Sequence, residues 1–265
     1  MALTKIKIED IEKIEFYVPN NRMTITQAYN SYKHNGRVCD FICNGTLFDM
    51  DSTSKSTITY GVENGKGLGY LFDSEGIKIV GDNTISWGTI KDTKIKDIIC
   101  GSPRLVKNGK VNIHWGNKVS SYLKNPAIRT SIGYNEKEFF MCVSDNNNTI
   151  EDMANYMKNN GCTHAVLLDG GGSTSMLKTE NGKMKAIKNT SRALANFVMI
   201  WLKEKPKGDD NEVVEKKKIS IDKKVKECDV IVKDGRTYVQ LRDFESEGYT
   251  ITYANGIAGI EMPKK

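Results

Sequence analysis

The chain has 265 residues, 38% of them hydrophobic, and a formal net charge of +6, which suits one large domain or one domain followed by a small one. No apolar run approaches the roughly 20 residues of a membrane-spanning helix, and no Arg-rich run with interleaved aromatic residues marks a nucleic-acid surface. We therefore expect neither a membrane span nor a nucleic-acid partner.

The N-terminal segment lacks the pattern of a secretory signal peptide. Residues 1–10 alternate apolar and charged side chains, and no apolar core of signal length follows them. This pattern predicts synthesis in the cytoplasm without a signal peptide. Any action on the cell envelope would then follow release by a route that the sequence does not encode.

Alternating apolar residues predict the first strands. Residues 4–18 and 37–43 read as strands, and the second of them ends at Asn44. Residues 56–80 read as short strands joined by tight turns, and residues 95–106 continue in the same manner. The first third of the chain is therefore expected to be sheet.

Two further strands read as an antiparallel pair. They are Ile128–Gly133 and Phe139–Ser144, joined by a polar turn at Asn135–Lys137. Residues 194–202 form the last strand of this region. Its apolar character is continuous, which is typical of a strand at the centre of a sheet.

A helix is predicted after Thr149, whose side chain can cap its first turn. Apolar residues recur behind it at helical spacing, and Gly161 ends the pattern. These apolar positions are Ile150, Met153, Ala154 and Met157. A strand follows at once and ends at Asp169, so the helix is expected to pack on the sheet that carries this acid.

The most distinctive segment of the chain runs from Asp169 to Met176. Directly after the acid come three glycines and two hydroxyl residues: Gly170, Gly171, Gly172, Ser173 and Thr174. Glycine lets backbone turn sharply and approach a ligand closely, and successive N–H groups in such a turn can bind an anion. The spacing matches neither a P-loop nor a dinucleotide-binding motif. We predict an active site for a negatively charged or sugar-like ligand.

This segment resembles the signature of the phosphodiester glycosidase family, and other segments resemble that family's motifs in the expected order. They are Phe41–Phe48, Gly101–Lys110, Arg129–Gly133 and Ser191–Asn196, which together span about residues 38–202. The resemblance implies a hydrolase that breaks the C1–O bond of a sugar attached to a phosphodiester. Departures from the family pattern at Thr46, Ile128 and Ser144–Asp145 bear on the substrate more than on the fold.

The resemblance and the chemistry of a departing phosphate together select the catalytic candidates. Asp169 is expected to act as nucleophile or general base near C1. Arg129 and Arg192 are expected to bind phosphate, because a planar guanidinium group binds phosphate oxygens in a bidentate manner. Asp145 is the second carboxylate, and it or Glu63 would have to donate a proton if the substrate were a plain glycoside.

A second group of residues is expected to bind the substrate. The amides of the glycine turn could hold a phosphate or sugar oxygen. The full set comprises Gly170, Gly171, Gly172, Ser173, Thr174, Asn44, Asn196 and Arg104. Purely structural roles stay open for the two asparagines, and a surface ion pair stays open for Arg104. No metal-ligand pattern is legible and no cofactor is required, although a divalent ion near Asp169 remains an open alternative.

The C-terminal region changes in composition after residue 203. Residues 204–218 are charged and read as an exposed linker. Residues 219–265 are expected to form a small envelope- or partner-binding module, because Gly235–Asp243 resembles the repeat domain named after the N-terminal domain of copper amine oxidases. No copper site is implied, since the segment contains no histidine.

The expected fold class is α+β, with a mixed, largely antiparallel sheet and packed helices in a catalytic domain of residues 1–203, plus a small C-terminal α+β module. The expected activity is hydrolysis of a glycosyl phosphodiester or of a bacterial cell-wall glycan, such as peptidoglycan or teichoic acid, including the case of a phage lytic or tail enzyme. Two alternatives stay open: an intracellular hydrolase of a nucleotide-like phosphodiester, and a non-catalytic glycan-binding or structural module. The oligomeric state also stays open.

Overall fold

The computed structural model describes residues 1–48, 61–63, 66–68, 75–89, 96–101, 103–115, 124–204, 214–221, 224–233, 236–239, 249–254 and 257–261. The chain divides into two compact units, Met1–Lys203 and Glu204–Lys265. Among the described residues, no helix is long and apolar enough to cross a membrane.

The first unit is mostly sheet. Its elements are β1 Ala2–Lys7, β2 Ile11–Tyr17, α1 Ile25–Ser31, β3 Phe41–Asn44, β4 Gly61–Glu63, β5 Lys66–Leu68, β6 Glu75–Val80, β7 Thr84–Thr89, β8 Asp97–Cys100, β9 Arg104–Lys107, β10 Lys110–His114, β11 Thr130–Tyr134, β12 Glu138–Val143, α2 Ile150–Asn159, β13 His164–Leu167, β14 Met176–Glu180, β15 Lys183–Lys188 and β16 Phe197–Leu202. Short 3-10 turns at Ile8–Asp10 and Gly171–Ser173 complete it.

Three sheets build this unit. A six-stranded sheet has the order β1-β12-β11-β13-β9-β10, and a five-stranded sheet has the order β15-β14-β3-β16-β2. A second five-stranded sheet has the order β5-β4-β8-β6-β7. Its strands follow β3 and precede β9 in the chain. Every strand pair among the described residues is antiparallel, so the mixed sheet expected from the sequence is absent from this part of the chain.

Strand alternation places the core between the sheets. On β13, Val166 joins the cluster that fills the space between the sheets, whereas Ala165 and Leu167 join the cluster under α2. On β16, Val198 likewise faces the inner cluster, and Trp201 packs in the cluster with α1. Because side chains alternate across a strand, β13 and β16 bury side chains on both faces of their sheets. This explains the continuous apolar sequence of the last strand.

Helix α2 follows its prediction closely. The Thr149 hydroxyl accepts a hydrogen bond from the Asp152 amide, and the Asp152 carboxylate accepts one from the Thr149 amide, which makes a capping box. Its predicted apolar face is buried in full: Ile150, Met153, Ala154 and Met157. Helix α1 was not predicted, although Thr24 and Gln27 form a second capping box at its start.

The predicted antiparallel pair near the middle of the chain is confirmed. Strands β11 and β12 pair in register from Thr130 opposite Val143 to Tyr134 opposite Phe139. On the other side, β11 pairs with β13, with Ser131 opposite Leu167. The start of β11 therefore lies beside the end of β13, which is the end that leads to Asp169.

The second unit contains strands β17 Val214–Ile221, β18 Lys224–Lys233, β19 Arg236–Val239, β20 Thr250–Ala254 and β21 Ile257–Glu261. The first three form one antiparallel sheet and the last two form a pair. The linker predicted for residues 204–218 is wrong at its end, because residues 214–218 belong to β17. Pairing with β18 over the whole of β17 outweighs the low strand propensity of a Lys- and Glu-rich segment. The sequence also predicts a short helix from Arg242 to Glu247, ended by Gly248. These residues lie outside the described part of the chain.

Candidate active site

The glycine turn after β13 is attached to both main sheets of the first unit. The amide of Asp169 donates to the carbonyl of Gly45 at 3.0 Å, just after β3. The amide of Gly171 donates to the carbonyl of Ile128 at 2.8 Å, just before β11. Since β3 and β11 belong to different sheets, these two bonds hold the turn between the end of β3 and the start of β11.

The side-chain amide of Asn44 joins the same elements from inside. Its Nδ2 donates to the carbonyl of Asp169 at 2.8 Å, and its Oδ1 accepts from Thr130 Oγ1 at 2.7 Å and from the amide of Ser175 at 3.0 Å. Asn44 is buried, and these bonds occupy both ends of its amide group. The structure therefore gives Asn44 a structural role, not the substrate contact that the sequence predicted.

Asn196, directly before β16, has a similar structural role. Its side-chain Nδ2 donates to the carbonyl of Thr46 at 3.3 Å, and its main-chain carbonyl accepts from the amide of Gly45 at 2.9 Å. A Cβ atom on Gly45 would lie 1.9 Å from Asn196 Oδ1, so only glycine fits there. The predicted contact between Asn196 and the substrate is not supported, because the side chain is buried and bonded to the protein.

Each glycine of the turn has a different steric environment. Gly171 has a φ of +58°, a conformation that costs side-chain-bearing residues energy. A Cβ on Gly170 would lie 2.8 Å from the Ile128 carbonyl oxygen, and one on Gly172 would lie 2.5 Å from Arg192 Nη2. The missing side chains thus let two arginine-bearing segments approach the backbone beside Asp169.

The amides of the turn are mostly used within the protein. Gly170 donates to the Asp169 carboxylate at 2.8 Å, Ser173 to the Gly170 carbonyl and Thr174 to the Gly171 carbonyl, both at 3.1 Å. Gly172 is the one residue from 170 to 174 whose amide has no acceptor among the described residues. The predicted nest of several free amides is therefore reduced to a single N–H group.

The two arginines lie on either side of the turn. The Arg129 side chain is buried; its Cδ lies 3.4 Å from where a Gly170 Cβ would be, and its Nη2 donates to the Asn125 carbonyl. Arg192 is exposed, its guanidinium lies against Gly172, and its Nη1 donates to Ser173 Oγ at 3.3 Å. One guanidinium is thus held by the protein, and the other faces solvent.

The Asp169 carboxyl is held where ionisation is costly. Burial raises its pKa from 3.8 to about 6, while hydrogen bonds from Ser173 and Gly170 and the charges of Arg192 and Arg129 lower it. The side chain keeps a partly exposed edge. A carboxyl with a pKa of about 6 is mostly ionised at pH 7 yet more basic than an ordinary carboxylate, so beside two guanidinium groups it is able to accept a proton or attack an electrophilic carbon.

The hydroxyl residues of the turn are too deep to meet a substrate in this conformation. Ser173 and Thr174 are 0% and 1% exposed. Their predicted role in binding substrate hydroxyls is therefore not supported, although Ser173 Oγ accepts a hydrogen bond from Arg192 Nη1.

Two other predicted residues lie apart from this group. Arg104 is buried, and its Nη1 pairs with Glu75 Oε2 at 2.6 Å; the same oxygen accepts from Lys107 and Trp87. The structure therefore shows Arg104 in an ion pair, as in the alternative left open by the sequence, and its contact with a substrate stays a prediction. Asp145 is exposed just after β12 and makes no hydrogen bond or ion pair with the described residues. The side chain of Glu63 is outside the described set.

Two residues that position the site were missed by the sequence analysis. Thr130 holds Asn44, and Thr190 Oγ1 donates to the Gly172 carbonyl at 2.7 Å while accepting from the amide of Arg192 at 3.1 Å. Thr130 stands directly after Arg129 in the Arg129–Gly133 motif, but its partner Asn44 is distant in the sequence. Nothing in the sequence marks Thr190, because its partner is a backbone oxygen 18 residues away.

Two neighbouring cavities, of about 1080 and 760 Å³, lie at the other end of β13, around Asn135 and Thr163. None of the predicted site residues lines either of them. We place the candidate site at Asp169, because the perturbed carboxyl and the guanidinium groups lie there. No group of three or more His, Cys, Asp or Glu residues able to hold a metal occurs in the described part of the chain.

Comparisons with known proteins agree with the placement of these motifs. The model of the phosphodiester glycosidase family matches residues 38–201. The catalytic domain of zebrafish N-acetylglucosamine-1-phosphodiester alpha-N-acetylglucosaminidase, auto-inhibited by its pro-peptide, matches with a TM-score of 0.58 and 16% identity, covering 76% of this chain and 82% of that one.

A hypothetical protein from Synechocystis matches with a TM-score of 0.48 and 12% identity, covering 76% of this chain and 59% of that one. No curated protein sequence matches the chain significantly. At these identities the structural matches bear on the fold alone.

Replacing Asn44 by alanine should destabilise the first unit by about 3 kcal/mol or more, because a buried acceptor and two buried donors lose their partner. The measurement is urea unfolding followed by tryptophan fluorescence. Asn30→Ala, which truncates an exposed asparagine on α1, is the matched control and should change stability by less than about 0.5 kcal/mol. Equal effects of the two substitutions would contradict the role given to Asn44.

Replacing Asp169 by asparagine should stabilise the protein at pH 7 by up to about 3 kcal/mol, since the pKa is raised by about two units and each unit is worth about 1.4 kcal/mol. Partial exposure of the Asp169 side chain to solvent makes the expected stabilisation smaller. The folded-state pKa lies above the unfolded value, so wild-type stability falls as pH rises from about 4 to about 6. The gain in Asp169→Asn should therefore vanish below pH 4. A variant less stable than wild type at pH 7 would contradict this reasoning.

Proposed function

The chain belongs to the phosphodiester glycosidase family, and on that premise we propose that it hydrolyses the bond between C1 of a sugar and the phosphate oxygen of a glycosyl phosphodiester. The observation that carries the proposal is the meeting of one perturbed carboxyl with two guanidinium groups at the glycine turn. A carboxylate suits the sugar carbon, and a guanidinium suits the phosphate.

The reaction balances without a cofactor. The C1–O bond breaks and its electron pair leaves with the oxygen of the phosphate monoester. The oxygen of a water molecule bonds to C1, and Asp169 accepts the proton of that water in the general-base route. In the covalent route, the carboxylate oxygen of Asp169 bonds to C1 first, and water then releases the sugar. A phosphate monoester is already a weak base, so little protonation of the leaving oxygen is needed.

The two arginines divide the electrostatic work. Arg192, exposed beside the free amide of Gly172, is the group that contacts the phosphodiester. Arg129 is buried and bonded to a backbone carbonyl, so it acts as a fixed positive charge that keeps Asp169 ionised. Arg129 thus departs from the direct phosphate contact expected from the sequence.

Asp145 has a place only if the substrate is a plain glycoside. In that case a proton donor is needed, and an exposed carboxyl that has no hydrogen-bond or ion-pair partner among the described residues suits that task. The phosphodiester assignment makes Asp145 dispensable, and activity on the two substrate classes separates these cases.

We further propose that the natural substrate is a cell-envelope polymer of the peptidoglycan or teichoic-acid kind, reached after release from the cytoplasm, as for a phage lytic or tail enzyme. The support is the second compact unit, Glu204–Lys265, whose sequence resembles modules that accompany envelope enzymes. A nucleotide-like phosphodiester and non-catalytic glycan binding are the competing assignments, and the experiments below distinguish them.

The first experiment measures phosphomonoester release from a synthetic glycosyl phosphodiester. Asp169→Asn should lower kcat by about 10²–10⁴-fold, and Arg192→Gln should raise KM by roughly tenfold or more through loss of a charge-assisted bond. Asp10→Asn, which changes an exposed carboxylate far from Asp169 in the sequence, is the control and should keep full activity. Because the ionised carboxylate is the active form, the rate should rise as pH rises through about 6.

Equal release by wild type and Asp169→Asn would remove Asp169 from the mechanism. Retained glycan binding without release by any form would favour the binding module, and faster release from a nucleotide diester than from any glycosyl phosphodiester would favour the intracellular alternative.

Ending the chain after Lys203, at the border of the first compact unit, should leave hydrolysis of a small soluble substrate unchanged and weaken binding to purified cell walls. The two quantities are measured on the same preparation, so a folding defect would appear as lost hydrolysis. Unchanged wall binding would contradict the targeting role of the second unit.

A further inference from the structure

The two cavities at the end of β13 that is remote from Asp169 share part of their wall. Five residues line both of them: Ile8, Glu9, Asn135, Glu136 and Thr163. The smaller cavity, of about 760 Å³, also reaches the turn between β9 and β10. Its volume is within the range of sites that enclose a small organic ligand. None of the residues assigned to hydrolysis lines either cavity.

A stack of three rings borders the smaller cavity. His164 stacks on both Trp87 and Tyr134, with 5.1 Å between ring centroids in each pair and interplanar angles of 26° and 11°. Trp87 Nε1 donates to Glu75 Oε2 at 2.9 Å, which holds the outer ring in place. His164 and Tyr134 both line the cavity, so two rings of the stack form part of its wall.

The hydroxyl of Tyr134 lacks a protein partner in this wall. The residue is only 8% exposed, yet its hydroxyl makes no hydrogen bond within the described part of the chain. Burial raises the pKa of Tyr134 to about 12, so the phenol stays protonated and is able both to donate and to accept. Because a buried hydroxyl without a partner is unfavourable, a ligand that supplies a hydroxyl or carbonyl group here would be stabilised.

A second hydrogen-bonding side chain lies at the same histidine. Asn108 forms the turn between β9 and β10 with a φ of +50°, and its Oδ1 accepts from His164 Nε2 at 3.1 Å. The amide of Gly109 donates to the carbonyl of Thr163 at 2.9 Å, which holds the turn against the start of β13. Asn108 Nδ2 has no acceptor among the described residues, so this wall offers an amide donor as well as a phenol.

The charges around the two cavities cancel. The described lining residues include three lysines and three glutamates: Lys7, Lys137, Lys203, Glu9, Glu136 and Glu138. Burial and the charge of Lys107 lower the pKa of His164, so its ring is neutral at pH 7. A wall without net charge does not favour an anion such as phosphate. Amides, hydroxyls and aromatic rings instead suit a neutral ligand that carries many hydroxyl groups.

We propose that the smaller cavity binds a neutral saccharide unit, at a site separate from the catalytic turn. A sugar ring combines hydroxyl groups, which can bond to Tyr134 and Asn108, with C–H groups that pack against aromatic rings. Strand β13 rises about 10 Å between His164 and Leu167, so one sugar ring does not reach both this cavity and Asp169. The site uses none of the residues assigned to hydrolysis and is independent of the proposed reaction.

The test follows the His164 ring by ¹H–¹⁵N NMR of the full chain at pH 7 while a neutral trisaccharide is added. The chain has three histidines, and the signal that is lost in His164→Gln identifies this one. The probes are maltotriose, cellotriose and chitotriose, each at up to about 10 mM, where a ligand with a millimolar Kd fills most of its site. At least one of them should shift the His164 signal in a saturable manner and leave that of His34 unchanged.

Tyr134→Phe keeps the stacked ring and removes only the hydroxyl. It should raise the Kd of that sugar by roughly three- to tenfold, which is the effect of one lost hydrogen bond. Tyr156→Phe changes a half-buried tyrosine of α2 that lines neither cavity; it is the matched control and should leave the Kd unchanged. Asp169→Asn should also bind the sugar with the wild-type Kd.

Three results would overturn the proposal: no saturable shift with any of the three sugars, an unchanged Kd in Tyr134→Phe, or a lower Kd for inorganic phosphate than for the sugars. Weaker binding in Asp169→Asn would place the sugar at the catalytic turn and overturn it equally. Hydrolysis of a glycosyl phosphodiester without sugar binding at His164 refutes this site alone, whereas sugar binding there without hydrolysis refutes the proposed function alone.

Discussion

The geometry of the site depends on one buried amide group. Asn44 stands at the end of a strand in one sheet, yet its side chain binds the carbonyl of Asp169 and the hydroxyl of Thr130 in the other. Each of these groups is shielded from water, so an unsatisfied partner would be costly. The amide of Ser175 adds a third bond and fixes the far end of the glycine turn. A polar side chain therefore fixes the position of this backbone segment through directional hydrogen bonds.

That precision allows a carboxyl to stand where it is unfavourable. Asp169 is largely withdrawn from water, and its charge is supported by Arg129, Arg192 and two hydrogen bonds from its own turn. The missing side chains of the glycines make this possible, because a methyl group on Gly172 would displace the Arg192 guanidinium. Stability is thus given up locally for reactivity, and the sheets around the turn supply the compensation.

Local patterns allowed much of the fold to be predicted. The α2 helix, its cap and its buried face were readable because periodicity and capping chemistry agree at Thr149. Helix α1 was missed because it has seven residues, too few for periodicity to show, although its capping box was present at Thr24. Asp169 was selected from the composition of its motif and Arg192 from the family resemblance, and the catalytic roles of both stay predictions. The contacts of Asn44 and Arg104 could not be read from the sequence, because their partners Thr130 and Glu75 are brought close only by folding.

The most direct test of the roles proposed for Asp169 and Arg192 is a crystal structure with a glycosyl C-phosphonate. In this ligand a methylene group replaces the scissile oxygen and blocks hydrolysis. The account predicts phosphonate oxygens on the Arg192 guanidinium and the Gly172 amide, with C1 of the sugar within about 3.5 Å of an Asp169 carboxylate oxygen, or of a water bound to it. A ligand seated elsewhere, with Asp169 and Arg192 untouched, would contradict it.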